Sequence, residues 1–194
     1  DSDLAADQRG IARPEGATDV GAYEAVGCGS SPYAVSSDAE LTDAILCINA
    51  AESGEQRIDV AADFTVYTLN DNYLGTPRLT YAADKVIIDG NGFTLTGDGN
   101  GRFFRLGGVT VELSDITLTG GRADTGGAIS GGHSLTVTDS VLIGNSATQR
   151  GGAIYGFETW TTVIDSDFID NSASYGGAID SREDFEDGRA VSAG

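Results

Sequence analysis

The sequence predicts an all-β chain wound into a parallel β-helix, and three observations point there. The phrase GGAI returns at Gly126, Gly151 and Gly176, a constant step of 25 residues. Between these phrases apolar residues alternate with period 2, the pattern of strands. Glycine supplies 28 of 194 residues and proline only 3, alongside many Thr, Ser, Asp and Asn, a composition suited to short strands joined by turns.

The repeat is best read by laying its copies together. VELSDITLTGGRADTGGAI (111–129), VTDSVLIGNSATQRGGAI (137–154) and VIDSDFIDNSASYGGAI (163–179) share one plan. Asp115, Asp139 and Asp165 coincide, as do Leu118, Leu142 and Phe168, and Ile129, Ile154 and Ile179. Val111 and Leu113 form a first strand, Ile116 and Leu118 a second, and Ala128 with Ile129 a third side. The polar stretch before GGAI reads as a turn, in which Gln149–Arg150 absorbs the variation in length. Each coil then lies parallel on the one below, about 4.8 Å away, with its inward residues stacked in columns. The glycine pairs Gly126–Gly127, Gly151–Gly152 and Gly176–Gly177 belong to corners, where the backbone bends without room for Cβ.

Upstream, residues 85–108 read as a degenerate coil with Val86 and Ile88, Phe93 and Leu95, then Phe103 and Phe104 as its three sides. Residues 57–83 offer further alternating strands. Positions 55–181 hold about five coils, a rod near 25 Å long at that strand spacing. The general crossover preference favours a right-handed coil.

The ends differ. Residues 35–54 contain an amphipathic helix: Ser37 and Glu40 fit a capping box, and Leu41, Ala44, Ile45 and Ile48 make one apolar face. Lying across the first coil, this helix would cap it. The far end has no such plug. Residues 182–194 form a polar tail with one aromatic, Phe185, so the last coil is expected to be frayed or covered by something not supplied locally. Residues 1–34 are an extended closing or linking segment.

Eleven basic side chains against thirty acidic give a net charge of −19. This balance excludes nucleic acid and anionic lipid as partners and favours divalent cations. No apolar run approaches the roughly 20 residues of a membrane span. The chain begins at Asp1, has no Met and shows no signal-peptide pattern, which reads as a processed or excised product. Cys28 and Cys47, 19 apart, either form one disulfide in an oxidising compartment or remain buried thiols.

A β-helix can carry polysaccharide chemistry, which makes specific demands on ionisable residues. A glycosidase needs two facing carboxylates; a lyase needs acidic Ca²⁺ ligands beside a base. Asp115, Asp139 and Asp165 form a ladder, with Asp167 and Asp170 beside its last member. Corner positions favour aspartate for local backbone bonding; the alternative is a Ca²⁺ site drawn from Asp115, Asp139, Asp165 and Asp167. The DGNG pieces at 89–92 and 98–101 lack the full calcium-loop spacing and read as turns. Lys85 and His133 are the only lysine and histidine, and His133 reads as an exposed turn residue. Arg102, Arg105, Arg122 and Arg150 are placed to pair with the ladder at the surface. Trp160, Tyr155 and Tyr175 suggest an aromatic strip, suited to sugars or to a protein contact. No catalytic residue is nominated.

GGAI paired with FIDN (168–171) and LIGN (142–145) resembles the GGAI/FxxN repeats of polymorphic outer-membrane-protein-like β-helices. AELTDAI (39–45) is similar to the opening of many secreted bacterial β-helix modules. The resemblance covers about 35–181 and implies a right-handed β-helix at a bacterial surface. FxxN is intact only in the last copy; the first copy reads LTGG. A second likeness lies at DQRGIARPEGATDVGAYEA (7–25), which resembles the DQRG…RP…GAYE segment of bacterial surface proteins with a β-helix and a sorting anchor. There the segment follows the β-helix; here it comes first. Either this chain is a unit of a longer array, or the segment acts in trans. In the second case Asp7, Gln8, Arg9, Gly10, Arg13, Pro14, Val20, Gly21, Ala22, Tyr23 and Glu24 of one copy cover the open coil of the next. The expectation is therefore a non-catalytic extracellular or cell-surface structural protein that self-assembles head-to-tail. The alternative is a carbohydrate-binding or adhesive module, with surface glycans as partners; a polysaccharide lyase or hydrolase is more remote.

Overall fold

The structure, a computed structural model, describes residues 28–51, 54–67, 85–157 and 159–182, together with the backbone of 78–79. Three parallel sheets run along a solenoid of about five coils. The first stacks Tyr33–Val35, Glu55–Val60, Lys85–Asp89, Thr110–Ser114, Ser134–Thr138 and Trp160–Ile164. The second stacks Phe64–Val66, Thr94–Gly97, Thr117–Thr119, Val141–Ile143 and Asp167–Ile169. The third stacks Arg78–Leu79, Phe104–Leu106, Ile129–Gly131, Ile154–Phe157 and Ile179–Arg182. The all-β parallel β-helix predicted from the repeat is the fold of the chain.

Register places like on like. Ile88, Leu113, Val137 and Val163 form one column. Leu95, Leu118, Leu142 and Phe168 form a second, and Phe104, Ile129, Ile154 and Ile179 a third. Phe103 and Ala128 are buried as well, so one continuous apolar core fills the lumen.

Three left-handed corners turn each coil of the clean repeat. After the first strand stand Asp115, Asp139 and Asp165 at φ 49°, 48° and 46°. After the second stand Gly120, Gly144 and Asp170, and before the third Gly126, Gly151 and Gly176 at φ 57°, 58° and 57°. Only Gly, Asn and Asp enter this region at low cost, which explains the Asp ladder without any ligand. The second glycine of each pair has a separate reason. A Cβ on Gly152 would strike the carbonyl oxygen of Gly177, one coil further on, and lie 2.5 Å from the Ser172 nitrogen.

The polar stretch before GGAI is more than a turn. Arg122–Thr125 pairs in parallel with Ser146–Arg150 as a fourth, two-stranded sheet, and bridges Ser146–Ser172 and Arg150–Tyr175 continue it. Held between two fixed corners, this stretch runs straight enough to pair although its side chains are polar.

Behind it lies an asparagine ladder. Asn145 is completely buried. Its Oδ1 accepts from Gly121 N at 2.9 Å, and its Nδ2 donates to Leu118 O at 3.0 Å and Asn171 Oδ1 at 3.1 Å. Asn171 repeats the pattern, accepting from Asn145 N at 2.9 Å and donating to Leu142 O at 2.7 Å. Ser140 and Ser166 make a smaller ladder at the Asp corner: Ser166 Oγ accepts from Ser140 N at 3.1 Å.

The helix spans Asp38–Ala50; Val35 belongs to the preceding strand. Ser37 caps it, accepting from Glu40 N at 3.3 Å. Glu40 reaches past the expected cap nitrogen to Ser36, accepting from its N–H and its hydroxyl, both at 2.7 Å. Leu41, Ala44, Ile45 and Ile48 join the core cluster of Val35, Ile58 and Val60, so the helix closes the first end. A Cys28–Cys47 disulfide, with Cα atoms 5.5 Å apart, ties the incoming chain to it. The segments 1–27 and 183–194, which hold the DQRG likeness and the polar tail, lie outside the described residues.

Two outcomes follow. Asn145→Ala leaves Gly121 N, Leu118 O and Asn171 Oδ1 without this partner in the dry interior and is expected to lower stability by about 3 kcal/mol in denaturant unfolding, whereas Asn171→Ala, half-buried in the last coil where water replaces its bonds, costs about 1 kcal/mol. Hydrogen bonds from the Ser36 hydroxyl and N–H hold the Glu40 carboxyl below its usual 4.5. Because the folded value is depressed, this contact stabilises above 4.5 and is lost as pH falls through the lower folded value. The stability difference between the wild type and Glu40→Ala should therefore shrink on acidification below pH 4.5.

Candidate functional site

The residues nominated for chemistry do not converge. Asp115, Asp139 and Asp165 stand one per coil, and Asp167 lies on the outward face of the second sheet. Among the described residues no three His, Cys, Asp or Glu side chains gather to hold a metal. The turn at 89–92 is built by Asp89, whose Oδ1 accepts from Asn91 N at 3.0 Å, and Asp98 does the same for Asn100. His133 is exposed at a turn, its N–H bonded to Val109 O at 3.2 Å.

Several basic residues pair with carboxylates from coil to coil. Lys85 bridges Glu112 at 2.9 Å and Glu55 at 3.4 Å across three coils. The hydrogen bond to Glu112 leads in holding its ammonium above the usual lysine range, the wrong direction for a proton acceptor. Arg57 joins Asp59 and Asp89, both at 2.6 Å. Arg150 pairs with Asp180 at 3.2 Å and lies 5.1 Å from the Tyr175 ring, away from the Asp ladder. Arg102 is buried and not at the surface. Strand register, which brings residues some 30 apart together, decides these pairs.

The aromatic strip is also corrected. Trp160 points out from the first sheet, Tyr155 from the third, and Tyr175 stands at the fourth side. Residues close in sequence leave the solenoid on different faces because each coil turns three corners.

What does stand out is the last coil. Trp160–Ile164, Asp167–Ile169 and Ile179–Arg182 each end their sheet. Val163 is 39% exposed, whereas Val137, one coil below in the same column, is 0% exposed. Phe168 and Ile179 are only partly buried, over fully buried Leu142 and Ile154. Outward apolar residues accompany this rim: Trp160 at 60% exposure, Ile164 and Ile169. Gly177 also differs from its counterparts. A Cβ there would meet nothing nearer than Asn171 O at 3.6 Å, since no coil lies above it among the described residues. The sequence hints at this edge through the missing plug; it gives no warning of Trp160, Ile164 and Ile169 around it.

No helix among the described residues is long and apolar enough to cross a membrane. Neither a curated protein nor a solved structure matches the chain. Residues 139–156 match the Chlamydia polymorphic membrane protein repeat. They run from the Asp139 corner through the Asn145 rung to the third-sheet strand, which is most of one coil. That repeat belongs to a family of surface outer-membrane proteins, in agreement with a bacterial cell-surface setting for this β-helix.

Proposed function

We propose that this chain is a non-catalytic structural module of a bacterial cell surface that joins end to end with copies of itself. Residues 1–25 of one copy add over the terminal coil of the next. The observation that carries this reading is the exposed final layer: Val163 is 39% exposed where its column is otherwise sealed. Strand addition completes the edge hydrogen bonds and covers the apolar rim together. Because the two surfaces differ, the contact is heterologous and propagates as a filament. Acidic outer faces keep such an assembly soluble. A glycan-binding reading draws on Phe157 and Trp160, both exposed at one turn of the solenoid.

Gly177 offers a direct test. By analogy with Gly127 and Gly152, whose added Cβ would meet the carbonyl of the coil above, the Cβ of Gly177→Ala points where an added strand would run. Gly177→Ala is expected to unfold within about 0.5 kcal/mol of the wild type, while Gly152→Ala loses most of the fold. In sedimentation and electron microscopy the wild type forms concentration-dependent oligomers; Gly177→Ala and deletion of 1–25 remain monomeric. A monomeric wild type at high concentration, or oligomers unchanged in both variants, overturns the proposal; glycan binding by that monomer would favour the second reading.

A further inference from the structure

The outward face of the second sheet differs from the rest of this acidic molecule. Its side chains fall in two columns in exact strand register. One holds Thr94, Thr117, Val141 and Asp167; the other Thr65, Thr96, Thr119, Ile143 and Ile169. Eight of the nine are β-branched and uncharged, although the chain carries a net charge of −19. Carboxylates appear only at the rim, at Asp63 and Asp167. The five threonines make no side-chain hydrogen bond to another described residue, unlike Thr148 and Thr159, whose hydroxyls bond Asp124 and Gly132.

Three physical features define what such a face can meet. It is stiff, because β-branched side chains on a strand hold one main rotamer and every strand is locked by neighbours above and below. It is periodic in two directions, about 4.8 Å between coils and about 6.6 Å between alternate residues. It offers a hydroxyl and a methyl at each threonine, so it orders water in a regular pattern without binding it tightly. Its extent, roughly 20 Å by 10 Å from the same spacings, is near 200 Å². A stable protein contact buries about 800 Å² per partner, so a second copy seated here alone would not stay. A sugar crystal surface is recognised by aromatic stacking, and this face has no aromatic residue. A partner that is itself a flat lattice of water suits all of these features.

We infer that the outward face of the second sheet binds ice, with Thr65, Thr94, Thr96, Thr117 and Thr119 as the contacting residues. These threonines all lie below the terminal coil, and the inference does not depend on end-to-end assembly. The test is ice-grain growth in a frozen sucrose film held just below melting, with purified chain, Thr119→Lys on the face, and Thr136→Lys on the outward side of the first sheet as the matched control. Circular dichroism confirms that all three are folded; if Thr119→Lys is not, Thr96→Val, which removes only a hydroxyl, takes its place. The wild type and Thr136→Lys are expected to arrest grain growth, and the face variant to lose most of that arrest. Grain growth with wild type equal to an albumin control overturns the inference. So does equal loss in both lysine variants, or retention on microcrystalline cellulose without any effect on ice.

Discussion

Parallel stacking is the constraint on which the whole molecule rests. A single coil of about two dozen residues buries nothing on its own, since its inward side chains face a lumen only one strand deep. Stability arrives when a second coil lies on it in register, closing the ladder bonds and sealing the column. Every special residue in the repeat serves that contact. Asp and Gly take the corners because they accept the left-handed backbone; Gly127 and Gly152 let one coil approach the next; Asn145 and Asn171 bond from coil to coil where the backbone alone leaves groups unmatched. Burying an amide is favourable only because all its partners are present.

The same constraint makes the two ends unlike. At the first, the Asp38–Ala50 helix brings its own apolar face and its own capped terminus, so the column stops without exposing backbone. At the last coil the column continues to the rim, and among the described residues Val163, Phe168 and Ile179 lack the neighbour that each lower residue has. A parallel solenoid is thus polar as an object: one end finished, the other still able to accept a strand. The proposed end-to-end addition rests on that asymmetry, and the matched Chlamydia-type repeat agrees with a cell-surface setting.

The fold was legible because its information is local and repeated. Three copies of GGAI, the coincidence of Leu118, Leu142 and Phe168, and one amphipathic stretch suffice for the coil and its cap. Side-specific details were harder. The aromatic strip failed because Tyr155, Trp160 and Tyr175 are separated by corners, and the phase of each corner is set by backbone angles. The partner of Arg150 was not legible because register depends on the full length of each coil: it meets Asp180, 30 residues on, and not the Asp ladder. The fourth sheet was missed since its strands carry no apolar alternation. The asparagine ladder was visible as FxxN, yet its burial shows only when the rung above is in place. The even threonine face escaped notice for a related reason, as neighbours in a column stand a whole coil apart in sequence.

The most direct measurement is amide hydrogen exchange followed coil by coil on dilute, monomeric chain and again on concentrated chain. An open final layer makes the amides of Trp160–Ile164 and Asp167–Ile169 exchange far faster than those of Ser134–Thr138 and Val141–Ile143 in dilute solution, and gain protection on concentration. Equal protection of the last two coils in the dilute monomer would contradict an exposed edge, and with it the assembly that the edge supports.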